Sequence, residues 1–301
     1  MGKKFRFSLE KGDLLPTLLM LPALLMILLI MIVPLAYGLI LSFFDVGFGG
    51  TDFRESFVGV ANYLRFFRDG TAKRAVVNTI LFSFGATLGD LVFGTIGAVM
   101  LLKVSERLGR FLRPIVTIPL LVSPIIVGLI WRYIYDVKGI LYWFLGFFGV
   151  GIQEFPGVTG ASTSLLSTVI AHWWQVVPFV IIVMTAGLLS IPEEYYEAAY
   201  VDGAGAFRSF WEISFPLLKD VYMVVLLISG VDTLKVFDII YSLTGGGPNN
   251  SSVSMSIYAY SQAFEQSNLS YAMALSFIAM IVTFLIFGVP FIRHNLSKYK
   301  E

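Results

Sequence analysis

Cysteine is absent from the 301-residue chain, and histidine occurs only as His172 and His294. These gaps exclude a disulfide framework, thiolate metal sites and a cysteine nucleophile, and they leave too few imidazoles for a histidine-rich metal centre. Charge is also scarce. Only 14% of residues are Asp, Glu, Lys or Arg, and 21 cations against 20 anions give a net charge of +1. That balance offers nothing to a nucleic-acid backbone. The motifs G-x-x-x-x-G-K-[ST], H-E-x-x-H and G-x-S-x-G are missing too, so no catalytic residue or metal ligand is assigned and no enzyme activity is expected.

Apolar residues are what the chain has in plenty: 57% of it is hydrophobic, with a mean hydropathy of +0.81. A water-soluble domain cannot bury so much, whereas a bilayer core takes roughly 20 apolar residues per crossing. Apolar runs at 14–44, 76–102, 112–135, 165–189, 221–243 and 271–292 predict six membrane-spanning helices. The expected fold is therefore an all-α integral membrane protein, with a short segment 1–13 before a six-span domain 14–301. The first run exceeds a signal-peptide core and is read as a retained helix, which Pro16, Pro22 and Pro34 delimit or kink. A shorter apolar stretch at 140–150 reads as an interfacial or re-entrant piece.

With the N-terminus inside, thirteen Lys and Arg flank the spans on the cytoplasmic side and six lie outside. This predicts cytoplasmic N- and C-termini. Of the outside cations, five lie between Gly49 and Ala75, interleaved with Tyr63, Leu64, Phe66 and Phe67, and predict an amphipathic surface helix before the second span. Loop 190–220 then faces the cytoplasm and reads as two short helices about a glycine. Ser190 and Glu193 have capping-box spacing, and Pro192 with Glu193 and Glu194 suits a first turn. Gly203 suits a left-handed stop, and Phe207, Phe210, Trp211 and Phe215 recur at helical spacing before Pro216, the expected end.

The run Glu197-Ala198-Ala199, Gly203 and Ile213-Ser214-Phe215-Pro216 resembles the EAA loop of inner-membrane permease subunits of ATP-binding-cassette importers, with Phe215 where leucine is usual. Asn62-Tyr63, Asn78-Thr79, Ile191-Pro192, Asp202-Gly203-Ala204 and Leu243-Thr244-Gly245-Gly246-Gly247-Pro248 extend the likeness, which is to the carbohydrate, maltose-type branch. The resemblance implies a type I importer transmembrane fold in a bacterial or archaeal inner membrane. It implies that the loop docks on a cytoplasmic ATPase dimer, with Glu194, Glu197, Ala198, Ala199, Asp202, Gly203, Ala204 and Phe207 making the contact. ATP and Mg would sit on that partner, and this chain would bind no cofactor. A homologous second permease, an extracytoplasmic solute-binding protein and membrane lipid complete the implied partners.

Ionisable groups inside spans mark pathways or internal pairs, and here they are Asp90, Arg132, Asp232, Lys235 and Asp238. Asp232, Lys235 and Asp238, spaced by three, form a drifting stripe that either lines a pathway or pairs internally, as Lys235 with Asp238. The resemblance places a sugar site on the fifth span, at Ser229, Asp232, Thr233 and Val236. The fourth span adds Trp173, Gln175 and Phe179, which offer stacking faces and an amide, while Trp173 and Trp174 fit an interfacial belt equally well. His172 reads as a hydrogen-bonded outer residue. Gly245-Gly246-Gly247-Pro248 reads as a turn at a helix end. A polyol such as glycerol phosphate is the alternative cargo, and a proton-coupled secondary transporter is the alternative class.

Overall fold

The computed structural model describes residues 14–47 and 56–292. The cations of segment 1–13, Arg54 and the basic residues after Ile292 lie outside them. Among the described residues there is no β-strand beyond a single bridge between Phe44 and Phe57. α1 (Leu14–Ile27) passes through a π turn (Leu28–Ile32) into α2 (Val33–Leu41), and between Leu18 and Leu41 only Gly38 and Leu41 are buried. A helix so exposed and so apolar is solvated by lipid or by another helix.

The expected surface helix is a short one, α3 (Ala61–Phe66). Asn62 explains its position: Nδ2 donates to the carbonyls of Ser42 (2.9 Å) and Phe44 (2.7 Å), closing the end of α2. α4 (Gly70–Lys103) begins where Asp69 Oδ1 accepts the amides of Thr71 and Ala72 at 2.9 and 3.0 Å, an N-cap that satisfies two orphan donors. The second Asp69 oxygen accepts the hydroxyls of Tyr258 (2.6 Å) and Tyr271 (2.8 Å), while Arg65 lies 4.0 Å over the Tyr271 ring.

α5 (Glu106–Thr117) runs through a 3₁₀ turn (Ile118–Leu121) and meets α6 (Pro124–Ile134) at a bend of 99°. The third span expected as one helix is therefore broken, because Pro119 and Pro124 flank the bend and each removes a ladder donor. The 140–150 stretch holds only α7 (Ile140–Gly146), whose Trp143 and Phe144 are exposed. α8 (Ser164–Leu189) packs along α4 through small residues. A side chain at Gly89 would enter the Trp173 ring, and one at Gly94 would enter Val180.

After α8 come α9 (Glu193–Val201), α10 (Ala206–Ser209), a π turn (Phe210–Ser214), α11 (Phe215–Leu217), α12 (Lys219–Leu234), α13 (Asp238–Leu243), α14 (Met255–Tyr260) and α15 (Leu269–Thr283). Among the described residues, four helices are long and apolar enough to cross a membrane, or up to six if each bent pair is one span. The main buried cluster joins Phe82 of α4, Val127 of α6, Val169 of α8, Ile240 of α13 and Tyr271 and Leu275 of α15. A second one joins Ala98, Val180, Met184, Ile191, Leu218 and Val225. The glycine turn after α13 has positive φ at Gly245 (61°) and Gly246 (87°), as a turn at a helix end requires. Its far side is tied to α4: Asn78 Nδ2 donates to the carbonyls of Asn250 and Val253, both at 3.1 Å, and Thr79 Oγ1 accepts the Met255 amide at 2.9 Å.

Candidate functional site

The loop between α8 and α12 is a helical hairpin. Its capping box does not form, because Ser190 ends α8 and its Oγ donates to Gly187 O at 2.7 Å, leaving Pro192 as the cap residue of α9. Glu193 and Glu194 still occupy the first turn, where the helix dipole favours carboxylates. α9 stops at Gly203 with φ +75°, as the Ala204 amide turns back to Ala199 O at 2.8 Å. The second arm does not stop at Pro216. Its π turn moves the Phe215 amide onto Phe210 O, the helix runs on to Leu217, and the chain then bends 68° into α12.

The hairpin base is fixed and its crest is bare. Ile191 and Leu218 are buried in the second cluster, Ile213 and Tyr196 pack on it, and Tyr196 OH meets Ser214 Oγ at 2.9 Å. At the crest Tyr200, Val201 and Phe207 are 81%, 85% and 79% exposed. Glu194, Glu197, Ala198, Asp202 and Gly203 are exposed, and Ala199 and Ala204 are half-buried. Of the eight residues singled out in the sequence, six are thus exposed and two half-buried within the hairpin, and three of them are carboxylates. The only ion pair near them among the described residues is the exposed Arg208–Glu212 contact at 2.9 Å.

A second assembly sits between the helix breaks. α12 ends at Leu234 and α13 begins at Asp238, so Lys235, Val236 and Phe237 are not helical. Each break frees backbone carbonyls, and side chains take them up. Gln175 Nε2 donates to Val122 O at 2.7 Å, Ser254 Oγ to Val236 O at 2.9 Å and Ser256 Oγ to Lys235 O at 3.2 Å. Both breaks open on one cavity of about 190 Å³, lined by Leu120 and Pro124, by His172, Gln175 and Val176, and by Asp232, Thr233 and Lys235 to Ile239. Two further cavities, of about 490 and 270 Å³, are predominantly apolar.

Of the seven pathway residues proposed from sequence, Gln175, Asp232, Thr233 and Val236 meet at the smaller cavity. The other three do not line it. Trp173 Nε1 donates to the carbonyls of Gly85 (3.2 Å) and Ala86 (3.1 Å), which commits it to the α4–α8 seam rather than to a belt or a ligand. Phe179 packs on the second buried cluster, and Ser229 is buried with an Oγ that has no partner. Thr233 lines the cavity, but its hydroxyl joins Ser83 (2.7 Å) and Gly230 O (2.8 Å) and ties α12 to α4.

The charged stripe also changes. With the helix interrupted, Lys235 pairs with Asp232 at 3.7 Å and not with Asp238. Both side chains are largely exposed, so this pair contributes about 0–1 kcal/mol. His172 is hydrogen-bonded, as expected, and it is also buried: its Nε2 lies 3.1 Å from Asp90 Oδ2, and Phe82 packs edge-on against the ring. No single-sequence signal pairs residues on separate spans, although two ionisable groups on apolar helices gave reason to look for one.

Residues 90–294 match the family described as binding-protein-dependent transport system inner membrane component. The trehalose/maltose transport system permease protein MalF of Thermococcus litoralis is 39% identical over 68% of this chain and 69% of its own. The multiple sugar-binding transport system permease protein MsmF of Streptococcus mutans is 31% identical over 89% of this chain and 90% of its own. In fold, a crystal structure of a bacterial ABC transporter involved in import of the acidic polysaccharide alginate superposes with a TM-score of 0.81, covering 97% of this chain and 98% of that one at 23% identity. The broken helices, the projecting hairpin and these likenesses agree, and the chain belongs to the family of inner-membrane components of binding-protein-dependent transport systems, as a non-catalytic transport permease.

Proposed function

We propose that this chain is one permease subunit of an ATP-binding-cassette importer and forms half of a pathway for a sugar or oligosaccharide. The observation that carries the reading is the meeting of two helix breaks at one polar cavity beside Gln175. Irregular backbone at membrane depth is tolerated where it lines a cavity, and broken helices of this kind hold transported solutes. Gln175, Asp232 and Asp238 offer amide and carboxylate partners for sugar hydroxyls, and Phe237 offers a ring face. Two carboxylates against one lysine argue against a phosphorylated polyol. Relatives named for trehalose/maltose and for multiple sugars support the carbohydrate class.

Energy enters through the hairpin. A cytoplasmic ATPase dimer grips its crest, and a homologous permease supplies the second half of the pathway. An extracytoplasmic binding protein delivers the solute, and both termini of this chain lie in the cytoplasm. ATP and Mg belong to the ATPase. Closure of that dimer moves the hairpin, and the hairpin is rooted through Ile191 and Leu218 in α8 and α12, the two helices that wall the cavity. Alternating access then follows as rigid rocking of these helices.

A tagged chain expressed with its neighbouring genes is expected to bring down an ATPase and a second permease. Uptake of radiolabelled maltose, used as the probe sugar, should require ATP and fall with Gln175→Ala through a higher KM. Solute movement by the lone chain on a proton gradient would overturn the assignment.

A further inference from the structure

Asp90 and His172 form the one buried acid–base pair among the described residues, joining α4 to α8 beside the Gly89–Trp173 contact and outside the hairpin. Asp90 is completely buried on α4, and its Oδ1 has no partner. A buried carboxylate of this kind is costly, and it persists where it holds something in place. What it holds here is an imidazole at the wall of the polar cavity.

The ring has two distinct nitrogens. Nε2 points at Asp90, which does not line the cavity. Nδ1 takes no hydrogen bond from the chain and is not among the sealed polar atoms. Phe82, edge-on at 5.6 Å, blocks rotation of the ring on one side. One turn further along α8 lies Gln175, whose Nε2 is spent on Val122 O and whose other amide atom is not among the sealed ones either.

We propose that His172 touches the transported solute through Nδ1, and that Asp90 is the positioning residue that fixes the ring by taking the Nε2 proton bond. The inference rests on the cavity being the solute pathway. The charged groups facing the ring across that cavity are Asp232, Lys235 and Asp238, and on α4 Asp90 alone. A sugar hydroxyl both donates and accepts, so it can meet Nδ1 in either protonation state of the ring. A carboxylate that accepts from one imidazole nitrogen and so orients the other is a device that metal sites and catalytic sites share.

The scarcity of histidine makes the test direct. In a His294→Gln background, the full chain labelled with ¹⁵N-histidine and reconstituted in vesicles of phosphatidylcholine and phosphatidylglycerol gives the signals of His172 alone. Nε2 is expected to be protonated and hydrogen-bonded, and Asp90→Asn is expected to remove that preference. A bare Nε2, or a spectrum unchanged by Asp90→Asn, overturns the positioning role.

Maltose and trehalose, as probe sugars, are then expected to shift Nδ1 and not Nε2. In the assembled importer, His172→Ala should raise KM about tenfold, the loss of one hydrogen bond to the cargo. His172→Gln, which can still reach both partners, should recover much of it. Asp90→Asn should raise KM by less. If Gln175→Ala raises KM while His172→Ala leaves it unchanged, the contact is wrong and the pathway stands. If neither variant moves KM, the pathway reading itself falls, and this contact falls with it.

Discussion

Phe207→Ala separates docking from folding. The side chain is 79% exposed, so truncation removes little that is buried in the free chain. Full burial of a phenylalanine is worth about 1.5–3 kcal/mol, and the exposed share of that is available to a partner. Losing it should cost about 2 kcal/mol of association, or roughly thirtyfold in Kd. The measurement is binding of the cognate ATPase to the chain in nanodiscs, alongside thermal unfolding of the chain alone. Phe207→Ala should weaken binding and leave unfolding unchanged. Phe111→Ala, at a side chain 68% exposed on α5 and outside loop 190–220, should change neither. A loss of less than about threefold for Phe207→Ala, or an equal loss for Phe111→Ala, would refute the crest as the docking surface.

The carboxylates of the crest predict a second effect: Glu197→Lys should leave membrane abundance intact and uncouple ATP hydrolysis from uptake, read as ATPase activity without transport. Asp69 predicts a pH dependence. Burial opposes its ionisation, yet bonds from Tyr258, the Ala72 amide, Tyr271 and the Thr71 amide hold its carboxyl below the ordinary value. A lowered value in the folded chain means stabilisation that is full above the ordinary carboxylate range near about pH 4, and lost as pH falls through the lowered one. Asp69→Ala should lower the midpoint of thermal unfolding at neutral pH by about 4–8 °C, for roughly 2 kcal/mol of lost capping and tyrosine bonds. Asp69→Asn should flatten the acid limb of that profile, and an unchanged limb would count against the clamp. On the α4–α8 seam, Gly94→Leu should unfold the chain or abolish its insertion, measured as loss of the monodisperse peak in detergent, because Val180 already occupies the space.

Most of the fold was legible because its signal is local. Apolar runs and turn residues located the helices, and the glycine at 203 located the stop of α9 by the left-handed turn it permits. What the sequence hid depends on which neighbour completes a bond. Ser190 and Glu193 stand at capping-box spacing, but Ser190 is already used by the end of α8. Lys235 and Asp238 stand three apart, but the helix between them is interrupted, and geometry pairs Lys235 with Asp232 instead. The break itself is weakly signalled, since neither glycine nor proline occurs from Leu234 to Asp238. It is supported from a distance by Ser254 and Ser256. Asn62 and Asn78, which carried part of the family resemblance, prove to be pins that hold loop carbonyls, so a motif useful for recognition has a structural cause.

The hairpin and the cavity are far apart, and their connection is a matter of helix geometry. From Leu189 back to Gln175 along α8 is fourteen residues, and from Leu218 to Asp232 along α12 is also fourteen, so each path measures about 21 Å at 1.5 Å per residue. On the proposed coupling, a hairpin held at both roots would drive two levers of equal length. Both reach the cavity where backbone regularity ends: α12 at its own break, α8 at the Gln175 amide that supports the other. Rotation at the base need not bend either helix to alter the cavity wall. It needs only to shift Gln175 against Val122 and Asp232 against Lys235, contacts of one hydrogen bond and one exposed ion pair. Such contacts exchange at a cost of a few kcal/mol, within the range that the proposed docking of the crest would supply.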